Sequence, residues 1–245
     1  MHLAGLGVPV VLAGCAGDDA AGAALLAELT AAGVELAVRT VPGAATGTIV
    51  SLVEPGGQRS MLADRGANLD LRADDVPSPG PGGHLHLSGY TLLDERPRTA
   101  GLAALAAARA AGCTVSVDPA STGPLRAHGV QRWLADTEGA DLLLPNADEA
   151  RLLTGCADVR DAARALARRH AAVAVTLGAE GALWASGDDL VHRPARAADV
   201  VDTTGAGDAF TAGLLAVWLD GGEPSAALDA GLARAAAVVG RPGAR

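Results

Sequence analysis

Lysine is absent from the 245-residue chain; all 19 of its Lys+Arg positions are arginine. This removes both the GxxxxGK[ST] phosphate loop and the strand lysine of protein kinases. Any grip on a nucleoside triphosphate must then come from backbone amides, arginine or metal. Aromatic residues make up 2% of the sequence, one Phe, one Tyr and three Trp, too few for a ladder of rings that stacks a nucleic-acid strand. The net charge is −9 and no basic run stands out, so the electrostatic footprint of a nucleic-acid partner is missing too. The longest apolar stretches are short and broken by Gly, Asp or Arg, which argues against a membrane span. The opening MHLAGLGVPVVLAGC has no basic region ahead of its apolar part and reads as a buried strand instead of a signal peptide. Cys15, Cys113 and Cys156 are odd in number and share no CxxC spacing, which fits free thiols better than a disulfide framework or a zinc site. These exclusions describe an acidic, cytoplasmic globular protein.

What is present is an ample apolar fraction, 49%, and a length suited to one domain. Short apolar runs alternate with Ala-rich helical stretches. Strands are predicted at 8–12, 84–88, 114–118, 141–144 and 173–177, and helices at 19–32, 98–111, 147–153, 158–170, 207–219 and 225–239. Runs at 48–53 and 59–62 flank Glu54-Pro55-Gly56-Gly57, a hairpin signal, and 181–185 with 190–193 read as a second antiparallel pair. Strands alternating with helices imply a mainly parallel sheet covered on both faces, with ligands beyond the carboxyl ends of its strands. The hairpin interrupts this pattern and is predicted to stand outside the main sheet.

The chemistry concentrates in Asp202 to Phe210, DTTGAGDAF, with an apolar helix directly after it. Gly205 and Gly207 allow a tight turn that aims several N–H groups at one spot, and the helix adds the positive end of its dipole. The result is a nest for a phosphate or for charge developing in phosphoryl transfer. Asp208 is a carboxylate at this anion site. It reads either as a helix cap or as a general base for an attacking hydroxyl. A dinucleotide fingerprint fits less well, because GAG lacks the third glycine and no second βαβ unit follows.

DTTGAGDAF resembles the C-terminal signature of the ribokinase-like, phosphofructokinase-B-type carbohydrate kinases. VVLAGCAGDDAAGAALLAELTAAGV, HLHLSGY, SVDPA, DLLLPNADEARLLTG, VAVTLGAEGALW and VVGRPGA are similar to further segments of that family in the same order, so the resemblance spans nearly the whole chain. It implies an α/β fold, a three-layer α/β/α sandwich with a mainly parallel central sheet, forming a single domain over 1–245 with a small β lid over about 34–65. It implies an ATP-dependent phosphotransferase acting on a hydroxyl of a small sugar or sugar acid. Asp208 would be the base and also meet the substrate, and the amides of Gly205, Ala206 and Gly207 the anion hole. Asn146 and Glu149 would serve the phosphates and Mg²⁺, partly through water. Thr176 and Gly178 would approach the nucleotide with Thr204, and Asp202 and Thr204 would hold a monovalent cation such as K⁺. The family also opens with a strand bearing a substrate-binding Asp and a Gly-Gly segment with an Asn. Met1 is expected to fall in the helix after that segment, which would leave edges of the sheet open. A homodimer paired through the lids is the assembly the resemblance offers. A nucleoside kinase of the same fold, and a non-catalytic nucleotide- or sugar-binding relative, stay open as alternatives; the scarcity of aromatic rings weighs against the former.

Other residues carry weaker signals. Asp118 ends a strand on the ligand side and is a candidate substrate contact. Arg59 and Arg65 around the hairpin could clamp an acidic sugar, though solvated arginines are the commoner finding. Asn68, in RGAN, fits a lid contact or a turn. His84 and His86 face the same way on a strand, and polar strand positions outweigh a metal pair because no third ligand is in view. Asp18 and Asp19 suit a helix start. Trp133, Trp184 and Trp218 read as core or interface, and Arg164, Arg168 and Arg169 as a solvated helix face.

Overall fold

A computed structural model describes residues 1–53, 59–241 and 243, with side chains at all of these except 53, 59 and 60. In chain order the elements are β1 (Val11–Gly17), α1 (Ala20–Ala31), β2 (Glu35–Val41), β3 (Thr48–Val53), β4 (Arg59–Asp64), β5 (His84–Ser88), α2 (Tyr90–Leu93) and α3 (Glu95–Ala110). There follow β6 (Thr114–Asp118), α4 (Thr122–His128), α5 (Val130–Asp136), β7 (Leu142–Leu143), α6 (Ala147–Thr154), α7 (Val159–Ala167) and β8 (Ala172–Thr176). The chain closes with β9 (Ala182–Ser186), β10 (Asp189–Arg193), α8 (Ala206–Trp218) and α9 (Pro224–Val239).

Local chemistry starts these helices where the sequence suggests. Asp19 Oδ1 accepts the Gly22 N–H at 2.8 Å and Asp158 Oδ1 accepts the N–H groups of Arg160 and Asp161, each satisfying donors that the first turn leaves without partners. Pro224 opens α9, where its missing N–H costs nothing.

The main sheet runs β10-β9-β8-β7-β6-β5; β5 to β8 are mutually parallel and β9 is antiparallel to both of its neighbours. Alternation along the strands builds the three layers. Leu143, Val173, Val175, Leu183 and Ala185 point into a core shared with α3, α5, α6 and α7, while Leu142, Ala172, Ala174, Ala182 and Trp184 point into a second core against α8 and α9. Each fully buried Leu stabilises by about 2 kcal/mol, so a one-residue slip of β7 would exchange Leu142 and Leu143 between the cores and be strongly resisted. Trp133 and Trp184 are buried as expected. Arg164 on α7 and Arg168 and Arg169 just beyond its end are exposed.

The architecture departs from the expectation in two places. First, β1 and β2 pair in parallel as a sheet of their own. The free edges of β1 and β5 both line one groove of about 840 Å³, with Trp218 and Leu219 also in its wall, and Val11 is 50% exposed there. Second, the stretch expected to be a lid divides. β2 belongs with β1, and only β3 and β4 form the projecting antiparallel ribbon. Its Ile49, Val50, Leu52, Met61 and Leu62 are each more than half exposed. The turn signal Glu54-Pro55-Gly56-Gly57 and the Arg59 side chain lie outside the described residues.

The ribbon returns to the body through a polar mount. Arg39 donates to both carboxylate oxygens of Asp75, at 2.7 and 3.0 Å, and to the Asp70 carbonyl. Arg65, read as either a clamp for acid groups or, more readily, a solvated side chain, is instead engaged. Its Nη1 is 2.7 Å from Asp94, its Nη2 donates to the Tyr90 carbonyl at 3.1 Å, and its guanidinium lies 5.2 Å from the centre of the Tyr90 ring. Among the described residues no helix is long and apolar enough to cross a membrane, and the three cysteines are free.

Candidate active site

The carboxyl ends of the parallel strands deliver polar residues to one rim of the sheet: Ser88 from β5, Asp118 from β6, Asn146 just beyond β7 and Thr176 from β8. The first turn of α8 approaches this rim. Together they enclose a cavity of about 440 Å³ whose wall includes Asp118, Asn146, Glu149, Thr176, Gly205, Gly207 and Asp208. Residues 90 positions apart in sequence, Asp118 and Asp208, are thus brought close enough for the second charge to raise the pKa of the first.

The turn before α8 is built as its glycines suggest. Gly205 sits at φ +77°, the left-handed region that a side chain disfavours. The Ala206 N–H donates to the Thr203 carbonyl at 3.2 Å, so this amide is already used and drops out of the expected anion hole. The N–H groups of Gly205, Gly207 and Asp208 carry no hydrogen bond among the described residues. Asp208 itself is exposed to the cavity and makes no cap bond, which removes the capping reading.

Asn146 and Glu149 are the capping pair instead. Asn146 Oδ1 accepts the Glu149 N–H and Glu149 Oε2 accepts the Asn146 N–H, both at 2.9 Å, a reciprocal box that starts α6. Burial pushes the Glu149 carboxyl up to about 7, against the lowering effect of the Asn146 N–H bond. Burial likewise lifts Asp118 to about 6, opposed by the Ala120 N–H that its Oδ1 accepts at 2.6 Å and reinforced by the charge of Asp208. Ala120 holds φ +80° beside that bond, a strained alanine at the cavity rim. Gly89 packs against the same strand end; a Cβ there would lie 2.3 Å from the Asp118 carbonyl oxygen.

Three carboxylates thus share a cavity whose wall, among the described residues, holds no arginine. The donor set is hard oxygen carrying like charges at close quarters, which fits a divalent ion such as Mg²⁺. Among the described residues no group of three or more His, Cys, Asp or Glu side chains converges as a metal site alone, so such an ion would need further oxygens from a ligand.

Several expected residues stay outside the wall. Gly178 opens a short 3₁₀ turn after β8. Asp202 Oδ1 accepts the Thr204 N–H and hydroxyl at 2.9 and 2.7 Å, and its Oδ2 accepts the Gly243 N–H at 2.9 Å, bracing the loop ahead of α8. Asn68 is exposed in the 3₁₀ turn that follows β4. Conversely Ser88, Tyr90 and His86 line the cavity without having been singled out for it. The signal for His86 was the HxH pattern on a strand otherwise apolar, which sequence alone could not aim at a site.

A family model described as pfkB family carbohydrate kinase matches residues 1–245. An ATP-dependent ribose-1-phosphate kinase of Halopiger xanaduensis is 34% identical over 253 aligned positions, covering 99% of this chain and 78% of that protein. The adenosine kinase from Sinorhizobium meliloti superposes with a TM-score of 0.92 at 27% identity, over 100% of this chain and 76% of its own. A fructokinase from Vibrio cholerae in a fructose-, ADP- and calcium-bound form gives 0.85 at 28% identity, over 99% and 83%.

Proposed function

The chain belongs to the pfkB family of carbohydrate kinases and is an ATP-dependent sugar kinase, and we propose that it moves the γ-phosphoryl group of ATP in line onto a hydroxyl of a small sugar or sugar acid with Asp208 as the base. The observation that carries this reading is the position of Asp208, exposed in the wall of one cavity beside the uncommitted amides of Gly205 and Gly207.

Asp208 takes the proton of the attacking hydroxyl as the O–P bond forms and the bond to the ADP oxygen breaks. The N–H groups of Gly205 and Gly207, with the N-terminal end of α8 behind them, meet the charge on the transferring group. Asp118 holds the acceptor from the facing strand. Asn146, Glu149 and Thr176 lie on the nucleotide side; Glu149 has one oxygen left after capping α6 and Asn146 its amide. A divalent ion held there with ATP oxygens would supply charge neutralisation that this lysine-free cavity otherwise lacks. Asp202 and Thr204 keep the loop ahead of α8 in place, and a monovalent cation beside them is part of the same reading.

A nucleoside acceptor is the second reading. It is favoured by Tyr90, the chain's single tyrosine, which is among the residues lining the cavity and has a ring able to stack a base.

The test is ATP consumption with Mg²⁺ across sugars, sugar acids and nucleosides, in K⁺ and in Na⁺, with Asp208→Asn alongside. The expected result is turnover on one acceptor class that falls about 1,000-fold in the variant while ATP binding persists. Unchanged turnover in Asp208→Asn would remove the base assignment. Absence of turnover and of ATP binding in a folded sample would overturn the site.

A further inference from the structure

The face of the sheet that meets α8 and α9 changes character from one side to the other. Leu142 and Ala172 occupy one register row on β7 and β8, and the same row continues into Ser116 on β6 and His86 on β5. Where the row is covered by helices it is apolar; over β5 and β6 it carries His84, His86, Thr114 and Ser116. Ser116 is buried and His84 half-buried, so their polar atoms need partners, whereas Thr114 and His86 reach the surface.

The partners form a line. Thr114 Oγ1 is 2.8 Å from His84 Nδ1, His84 Nε2 is 2.8 Å from Ser116 Oγ, and Ser116 Oγ is 2.8 Å from His86 Nδ1. Trp218 packs edge-on against His84 at 5.7 Å and fixes that ring. Desolvation favours the neutral form of both imidazoles, His84 as a half-buried ring and His86 while part of it stays open to solvent. Ser116 is fully buried and its hydroxyl carries one proton, which it donates to one imidazole while accepting from the other. The two rings are therefore locked to the same tautomer. If Ser116 donates to His86, both are protonated on Nε2; if it donates to His84, both are protonated on Nδ1.

A network that served packing alone would close on itself. This one is open at its His86 end, because His86 Nε2 has no partner among the described residues, and His86 lines both the wall that holds Asp118 and Asp208 and the groove beside β5. Ser88, two residues along β5 from His86, is the register partner of Asp118, which sets His86 roughly 7 Å below Asp118 along the sheet. The three carboxylates there can only accept while ionised. An imidazole whose open nitrogen can donate or accept supplies what they lack toward a polyol.

We propose that His86 Nε2 contacts a hydroxyl of the phosphoryl acceptor, and that the Ser116–His84–Thr114 line sets whether it donates or accepts, making His86 a determinant of acceptor selectivity outside the proton transfer itself. This rests on the kinase reading above.

The experiment has two arms. Two-bond ¹H–¹⁵N spectra of the ¹⁵N-histidine-labelled chain should show His84 and His86 in the same neutral tautomer, with Ser116→Ala abolishing the match. Adding D-fructose, D-ribose or adenosine as probes should move the His86 Nε2 resonance for the probe that is turned over. Kinetically, His86→Gln and His86→Phe should raise the acceptor KM about 10-fold or more, with the ATP KM and kcat changed less than about 3-fold. The variants' preference for the deoxy analogue that lacks the contacted hydroxyl should be correspondingly lost. Opposed tautomers overturn the relay, and a His86 signal indifferent to every probe that is turned over overturns the contact. An unchanged acceptor KM in an otherwise active enzyme overturns the selectivity role while leaving the kinase reading intact. Failure of the native chain to turn over any acceptor counts against the kinase reading, and the tautomer arm still judges the relay.

Discussion

Asn146 and Glu149 hold each other by two 2.9 Å hydrogen bonds, side chain of each to backbone N–H of the other. One carboxylate therefore both starts α6 and sits in the wall of the candidate active-site cavity. Its proton is the link between stability and function.

The Glu149 carboxyl ionises near 4.5 when unfolded and at about 7 in the folded chain. Between those values the native state binds the extra proton, so stability falls as pH rises through that window and is flat beyond it. The expected loss from this group is about 3 kcal/mol, with Asp118 adding in the same direction up to about 6. Glu149→Gln keeps an oxygen for the Asn146 N–H and removes the Glu149 part. Urea midpoints should be similar for both proteins below about pH 4.5 and higher for the variant near pH 8, while its phosphoryl transfer falls. A native midpoint that rises across the window would contradict the assignment.

Gly205 and Gly207 are predicted to behave oppositely. Gly205 holds φ +77°, so Gly205→Ala should cost about 1 kcal/mol and tilt the turn, lowering both melting temperature and kcat. At Gly207 a Cβ would meet no atom within 4 Å, and alanine in a helix gains about 0.5–1 kcal/mol. Gly207→Ala should therefore melt higher yet lose about 10-fold or more in kcat, because its methyl stands beside an amide proposed to meet the transferring group. Calorimetry paired with initial rates separates the two.

Gly89→Ala tests the support behind Asp118. The added Cβ would lie 2.3 Å from the Asp118 carbonyl oxygen and 2.8 Å from Pro119, so the strand end must move. The expected cost is about 1–3 kcal/mol, accompanied by a rise in acceptor KM larger than any change in ATP KM. Equal shifts in the two KM values would place Asp118 away from the acceptor.

Arg65→Ala probes the attachment of the ribbon. It removes the Asp94 ion pair and the guanidinium over Tyr90, which are part-exposed contacts worth less than about 1 kcal/mol to stability. The larger effect should be kinetic, because Tyr90 lines the cavity. Acceptor KM should rise several-fold, about 3–10, and a nucleoside acceptor should suffer more than a free sugar.

Much of this molecule is written in its order of residues. The short apolar run at 173–177 between helical stretches specifies a parallel strand between two helical layers, because a strand covered on both faces needs apolar side chains on both. DTTGAGDAF specifies a tight turn and a helix start with a carboxylate at its mouth, because only glycine adopts φ +77° without strain. NADE, by contrast, carries a capping pattern legible in four residues, yet its place in the cavity depends on β7 ending beside β8. Tertiary structure alone decided the rest. Whether Ala206 keeps a free amide depends on the Thr203 carbonyl reaching it. The expected lid resolves into β2 beside β1 and a separate ribbon, since strand pairing is chosen by distant edges and not by neighbours in sequence. The meeting of Asp118 with Asp208, and of His84 and His86 with Ser116, follows from strand register and from helix packing across the sheet, which no local pattern encodes.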